Sequence, residues 1–296
     1  MAARMLYAHT LSALHCGVGQ TADVIDLPIA RERVTNWPVI PASSVKGPLK
    51  ARLRPAPDQH PNGNQRAWRA AFGPDIDHAD GGGGSLTFTD LHLLCFPVRS
   101  YAGTFAWVTS PLALRRWVRD HQTAGLPCPV EPPPEPAVDE LLLAEESNLV
   151  ASDPNAAAVY LEDLDLRARH NPVVNAVGRA IAEMVFRDPY WRQLFTGRFA
   201  LAHDDVFTFL TETATEVAAR VRIAEGSKTV APHALWYEEA VPAETIFAGP
   251  VLADTARNGV TEDQALGVLR SPVTLQLGGH ATIGRGIVEL LAEGLK

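Results

Sequence analysis

The sequence predicts an α+β fold with an antiparallel sheet in β-α-β-β-α-β order, carrying insertions, rather than a doubly wound parallel sheet. Helical and strand patterns alternate along the chain. The strands expected at 86–95 and 104–109 are joined by a connection too short for a parallel crossover, which takes a dozen residues or more, so they must pair antiparallel. The one glycine cluster that superficially looks like a nucleotide loop, Gly278, Gly279, Gly284 and Gly286, stands near the carboxyl end between strands. A dinucleotide fingerprint would open a helix after an early strand. The chain of 296 residues, 46% hydrophobic, is long enough to bury a substantial core as one elaborated domain over 1–296.

Taken in order, residues 4–14 alternate and then meet glycines, which predicts a strand running into a loop that extends to about Pro28. Val45, Leu49 and Leu53 recur at helical spacing behind Ser43 and Ser44. This predicts an amphipathic helix capped by those serines, with Gly47 and Pro48 in its first turn. Residues 81–84 form a glycine connection before the strand pair 86–95 and 104–109. Ser110-Pro111 then starts a helix through about His121. Residues 126–136 hold six prolines and read as an extended excursion separating two halves. Beyond it the pattern predicts a helix over 173–187, a long β-rich stretch over 199–223, a loop over 225–232 and a short helix over 262–269. Strands at 273–277 and 287–291 flank the final glycine loop.

Composition narrows the function. Cys16, Cys95 and Cys128 have neither disulfide-framework nor metal-ligand spacing, which suits a reducing interior. No apolar run is long enough for a bilayer, and the first residues break too early for a signal peptide, so a cytoplasmic protein away from the membrane is expected. The net charge of −8 argues against nucleic acid until its distribution is considered. Residues 1–72 carry nine basic groups against four acidic ones, a balance of +5 that leaves −13 for the remainder. A basic amino-terminal quarter on an acidic body suits a local polyanion contact.

That quarter also concentrates the candidate chemistry. His15 lies in a glycine loop, where it either bonds to backbone or acts beside Asp26. Asp26 is either a turn carboxylate or the group that holds a divalent cation or accepts the proton of a ribose 2′-hydroxyl. Ser43, Ser44 and Lys46 read both as a helix start and as an anion site, with Lys50 and Arg54 on the same helix. In the terminal loop the glycines read equally as a hairpin turn or as a close approach to a phosphate chain, with Arg285 as the cation. The run from Trp236 through Glu238 and Glu239 is either core and edge or a protruding hairpin that completes a site. No His-Glu-x-x-His, paired-cysteine or Gly-x-Ser-x-Gly motif occurs, so metalloprotease and serine-hydrolase chemistry lack support.

Together, His15-Cys16-Gly17-Val18-Gly19, Val24-Ile25-Asp26-Leu27-Pro28-Ile29 with Arg31-Glu32, Ile40-Pro41-Ala42-Ser43-Ser44-Val45-Lys46-Gly47 and the terminal glycine loop resemble the RAMP superfamily. With Thr215-Glu216-Val217, Ala234-Leu235-Trp236-Tyr237-Glu238-Glu239 and Pro242-Ala243-Glu244-Thr245, they resemble the backbone subunits of type III-B CRISPR (Cmr) effector complexes. The resemblance implies an RRM-like (ferredoxin-like) core with a thumb inserted at about 205–245. It further implies polymerisation along a guide CRISPR RNA beside the other subunits of the complex, and cleavage of complementary single-stranded target RNA at regular intervals. It makes Asp26 the catalytic aspartate and ligand of a divalent ion (Mg²⁺ or Mn²⁺), with His15 beside it and Glu238 or Glu239 as a third acid. Ser43, Ser44, Lys46, Lys50, Arg54, Gly279 and Arg285 become RNA-backbone contacts. A non-catalytic RNA-binding scaffold of the same complex is the alternative, and the presence of Asp26 and His15 favours the enzyme.

Overall fold

The computed structural model describes residues 2–21, 24–56, 63–74, 83–128, 130–131, 134–151, 157–223, 226, 228–254, 259–269 and 272–293. In chain order the elements are β1 (Ala2–Thr10), β2 (Val39–Ile40), α1 (Ala42–Arg52), α2 (Gly63–Phe72), β3 (Leu86–Phe88), β4 (Leu91–Arg99) and β5 (Phe105–Thr109). Next come α3 (Pro111–Thr123), β6 (Glu140–Leu143), β7 (Ala158–Leu161), β8 (Leu164–His170), α4 (Pro172–Val185), α5 (Pro189–Arg198), β9 (Phe199–Ala202) and α6 (Asp204–Thr213). The last are β10 (Glu216–Ile223), β11 (Val230–Ala240), β12 (Ile246–Ala253), α7 (Glu262–Leu266), β13 (Val273–Gln276) and β14 (Ile287–Ala292).

The fold is mixed α+β around one large, mostly antiparallel sheet in the order β13-β14-β1-β12-β4-β5-β9-β6-β8-β7. Among the described strand pairs of this sheet, only β5 with β9 and β6 with β8 run parallel. β10 and β11 form a separate antiparallel hairpin. The sheet is apolar on both faces because successive side chains of a strand point to opposite sides. In β1, Leu6 and Ala8 enter the core that includes Val45 and Leu49 of α1 and Trp68 of α2, whereas Met5 and Tyr7 enter the core under Trp117 of α3 and Val177 and Ile181 of α4. Burial on both sides makes β1 a deep strand, so the loop leaving Thr10 starts from a fixed point.

Several expectations are corrected. The β-rich stretch 199–223 contains α6: Phe207, Phe209 and the threonines favour strands individually, but Val206, Phe207, Leu210 and Thr211 are buried at helical spacing. The span 86–95 is two strands, β3 against β12 and β4 against β12 and β5. The proline excursion does not separate two halves, because the sheet passes without a break from β4 to strands on either side of it in sequence. Ser43 and Ser44 are not caps: α1 begins after Pro41 and makes no side-chain cap bond. Instead, the Ala42 amide donates to Asp90 Oδ1 at 2.8 Å, so a distant carboxylate holds the helix start. Pro48 lies inside α1 rather than in its first turn, where it offers no N–H to the Ser44 carbonyl. The loop expected over 225–232 is shortened by β11, which begins at Val230; residues 225 and 227, like 81, 82, 129, 132 and 133 of the other predicted connections, lie outside the described residues.

Candidate active site

The site is built on the outer edge of β11. One edge of this strand pairs with β10; along the other edge, backbone groups of Tyr237, Glu239 and Val241 take the two loop segments that carry the candidate residues. Leu14 and Val241 exchange both backbone bonds at 2.8 Å. His15 then donates from Nδ1 to the Glu239 carbonyl at 2.6 Å. The Glu239 amide donates to the Leu27 carbonyl and the Leu27 amide to the Tyr237 carbonyl, both at 3.0 Å. The Tyr237 amide donates to Asp26 Oδ2 at 2.7 Å. Asp26 and His15 are therefore spaced by β11 itself, two to three residue steps apart, or about 7–10 Å along the strand. That gap is too wide for a direct bond and wide enough for a phosphodiester.

Each residue is left with one working atom. A carbonyl only accepts, so the proton of His15 is on Nδ1 and its Nε2 is uncommitted. Nε2 lies over Gly17, where a Cβ would stand 2.5 Å from it, so the glycine is required for this ring position. Asp26 is half-buried, and its Oδ1 has no hydrogen-bond donor among the described residues. His15, Leu27, Ser44, Gly279 and His280 line an open cleft of about 330 Å³. Gly278 presses on the opposite side: its φ is +70°, and a Cβ there would meet the His15 carbonyl oxygen at 2.2 Å, while the Gly279 amide donates to that oxygen at 2.8 Å. The terminal glycine loop thus clamps the histidine loop.

The two glutamates face opposite sides of β11, as neighbours in a strand must. Glu239 is a clamp: it accepts from Arg31 Nη2 at 2.6 Å, from Thr215 Oγ1 at 3.0 Å and from the Ile29 amide at 3.1 Å. Glu238, with its side chain 1% exposed, lies between two guanidiniums and an imidazole: Arg285 Nε at 2.8 Å, Arg220 Nε at 3.4 Å and His280 Nδ1 at 3.7 Å. Neither carboxylate opens onto the cleft. Arg285, expected as an RNA contact, is buried against Glu238.

The basic helix is equally divided. Lys46 is half-buried and has no ion pair or hydrogen bond among the described residues, and Ser43 is exposed. Ser44 bonds the Cys16 thiol, which burial pushes up to about 11 despite that bond. Lys50 turns inward, donating to the Gly73 and Pro74 carbonyls at 3.1 and 2.7 Å, and its ammonium lies over the Trp68 ring. Arg54 covers the same ring. Among the described residues no group of three or more His, Cys, Asp or Glu side chains converges as a metal cage. Asp26 offers one free, hard carboxylate oxygen, which fits a Mg²⁺-like ion that keeps its waters and takes its remaining ligands from phosphate. His280 was missed from sequence; its signal was its position inside the glycine loop, where it takes φ 63° and sets its ring edge-to-face with His15, centroids 4.9 Å apart.

A mixed α+β sheet whose last glycine loop and a protruding hairpin together close on a loop histidine and aspartate defines a class. The chain belongs to the RAMP superfamily, whose family description matches residues 7–289. Within it, the chain is 33% identical over 300 residues to the CRISPR system Cmr endoribonuclease Cmr4 of Pyrococcus furiosus, covering 98% of this chain and 95% of that protein. It is 26% identical over 303 residues to the CRISPR system CMR subunit Cmr4 of Saccharolobus solfataricus, covering 96% and 94%. The crystal structure of oligomeric Cmr4 from Pyrococcus furiosus superposes with a TM-score of 0.77 at 28% identity, covering all of both chains. No described helix is long and apolar enough to cross a membrane.

Proposed function

We propose that this chain is the backbone subunit of a type III-B CRISPR RNA-guided effector complex. It assembles with further copies of itself and other subunits along a guide RNA, and it cuts complementary target RNA. Two independent lines support this: the near-full-length likeness to an endoribonuclease, and the spacing of Asp26 and His15 by one strand edge, which is the observation that carries the catalytic part. The order β14-β1-β12-β4, with α1 following β1 and α7 following β12, supports an RRM-like (ferredoxin-like) core within the larger sheet. The β10–β11 hairpin is then the thumb.

In this reading guide pairing reads the target sequence, while the protein binds backbone shape. Lys46 and the amide-rich glycine loop hold phosphates of the guide. The hairpin splays a target nucleotide so that its 2′-hydroxyl lines up with the adjacent phosphorus, and positioning supplies much of the rate. Asp26 Oδ1 stands where it can accept the 2′-hydroxyl proton or hold a divalent ion. When bound, such an ion supplies charge neutralisation at the phosphate. Glu239 and Arg31 keep the Asp26 segment seated on β11.

The test is cleavage of labelled complementary RNA by the complex assembled with guide RNA and Mg²⁺ or Mn²⁺. Asp26→Asn should lose the regularly spaced fragments, by ~10²-fold or more, while target binding is retained. Undiminished cutting by that variant would leave the scaffold reading in place.

A further inference from the structure

The geometry points to His280 as a further catalytic residue of this site: the proton donor to the leaving 5′-oxygen during RNA cleavage, held for that role by buried Glu238. This rests on the RNA-cleavage reading above and assigns a part of the reaction that Asp26 cannot perform. An in-line attack needs a proton removed at the 2′-oxygen and one supplied at the 5′-oxygen, on opposite sides of the phosphorus. Asp26 serves the first. Glu238 of β11 cannot serve the second, because its side chain is 1% exposed and walled in by Arg220, Arg285 and His280.

His280 does reach the cleft. Its side chain is 31% exposed and lines the same space as His15 and Gly279. Nδ1 faces Glu238 Oε2 at 3.7 Å, which leaves Nε2 for a ligand. The groups facing the ring are His15 from the loop after β1, at 4.9 Å between centroids, Glu238 from β11, and behind Glu238 the cations Arg220 of β10 and Arg285 of the glycine loop. Of the two rings, His280 is the one that faces a carboxylate, Glu238, which it shares with Arg285 and Arg220, whereas His15 has its Nδ1–H fixed on a neutral carbonyl. His15 therefore orients the His280 ring, and Glu238 acts through it. Glu238 is a positioning residue.

The step balances without a further reactant. The 2′-oxygen forms a bond to phosphorus as its proton passes to Asp26. The P–O5′ bond breaks, and the 5′-oxygen takes the proton from His280 Nε2. The products are a 2′,3′-cyclic phosphate and a 5′-hydroxyl.

The experiment uses the assembled complex with guide RNA under single-turnover conditions and two complementary targets. One is ordinary RNA; the other carries a bridging 5′-phosphorothiolate at a cleavage position, whose thiolate departs without protonation. His280→Asn is the first variant because Asn, like His, tolerates the left-handed backbone at this position. It should cut ordinary RNA ~10²–10⁴-fold slower and the phosphorothiolate within about 3-fold of wild type. Glu238→Gln, which keeps the ring but leaves Arg285 and Arg220 without their carboxylate, should show a smaller loss with the same rescue; cutting of the phosphorothiolate target by each variant, which a misfolded chain could not perform, separates loss of the proton donor from loss of the fold. Equal losses on both targets, or ordinary cutting by His280→Asn at the wild-type rate, would overturn the assignment. Asp26→Asn should be slow on both targets; if it cuts both at the wild-type rate, the catalytic reading of Asp26 fails, separately from that of His280.

Discussion

Glu239 gives the most discriminating stability prediction, because the structure makes it a clamp whereas its sequence position also suggested a catalytic acid. Substitution Glu239→Ala removes the acceptor for the Ile29 amide at 3.1 Å, for Arg31 Nη2 at 2.6 Å and for Thr215 Oγ1 at 3.0 Å. The Arg31 side chain is only 16% exposed, so a largely buried guanidinium loses its counter-charge. Breaking such a pair from one side costs about 3–5 kcal/mol. Unfolding entropy near 60 °C is about 2.1 cal/mol/K per residue, or roughly 0.6 kcal/mol/K for a chain of this length, so the expected fall in Tm is about 5–8 °C. Differential scanning calorimetry of the chain measures it directly. A double-mutant cycle with Arg31→Met sharpens it: the double variant should recover part of the loss, with a coupling above 1 kcal/mol, because neither charge is then left alone. A Tm within 1 °C of wild type for Glu239→Ala, or strictly additive losses, would refute the clamp.

Two further predictions concern charges that the fold uses differently. Burial alone would raise the Glu32 carboxyl, but hydrogen bonds from His92, Thr35 and Arg116 and the Arg116 charge outweigh it and hold the group at about 2, below its ordinary 4.5. A depressed folded-state value stabilises above about pH 4.5 and is lost as pH falls toward 2. Glu32→Gln should therefore remove on the order of 3 kcal/mol of the stability difference between pH 7 and pH 2, read from urea unfolding at both values. On α1, Lys46→Ala should weaken guide-RNA binding alike for all sequences and lower the salt slope by about one. Lys50→Ala should instead lower Tm and leave that slope unchanged; the binding isotherms at several salt concentrations separate the two.

Legibility from sequence followed how local each determinant was. β1, β5, β13 and β14, with α3, α4 and α7, were readable because burial periodicity and start signals such as Ser110-Pro111 are written within one segment, whereas β2, β6, β7, β8 and β12 were not read as strands. The start of α1 was misread because its first amide is held by Asp90, far away in sequence. α6 was masked by β-branched and aromatic residues whose helical spacing only matters once Phe207 packs against Trp37. At the site, Asp26, His15 and the glycine loop were visible as residue types. Their arrangement was not, since β11 arrives from more than 200 residues away to space them. The doubled glutamates were ambiguous for the same reason: which face of β11 each occupies depends on register with β10. Arg285 was correctly noticed as a cation in the loop, but only the fold shows that its neighbour is the very acid suggested for catalysis.

That shared strand has a mechanical consequence. Asp26 and His15 are both bonded to backbone atoms of β11, so a displacement of the β10–β11 hairpin carries the two together and keeps the gap between them. His280 does not travel with them in the same way. It belongs to the β13–β14 connection, which bonds the His15 loop through the Gly279 amide, and among the described residues its ring meets the hairpin at the side chain of Glu238, 3.7 Å away. A ligand that levers the hairpin thus leaves the spacing of Asp26 and His15 unchanged and shifts His280 relative to them only as far as the Gly279–His15 clamp yields. Of the three, His280 is the residue whose alignment depends most on how the hairpin is seated against RNA.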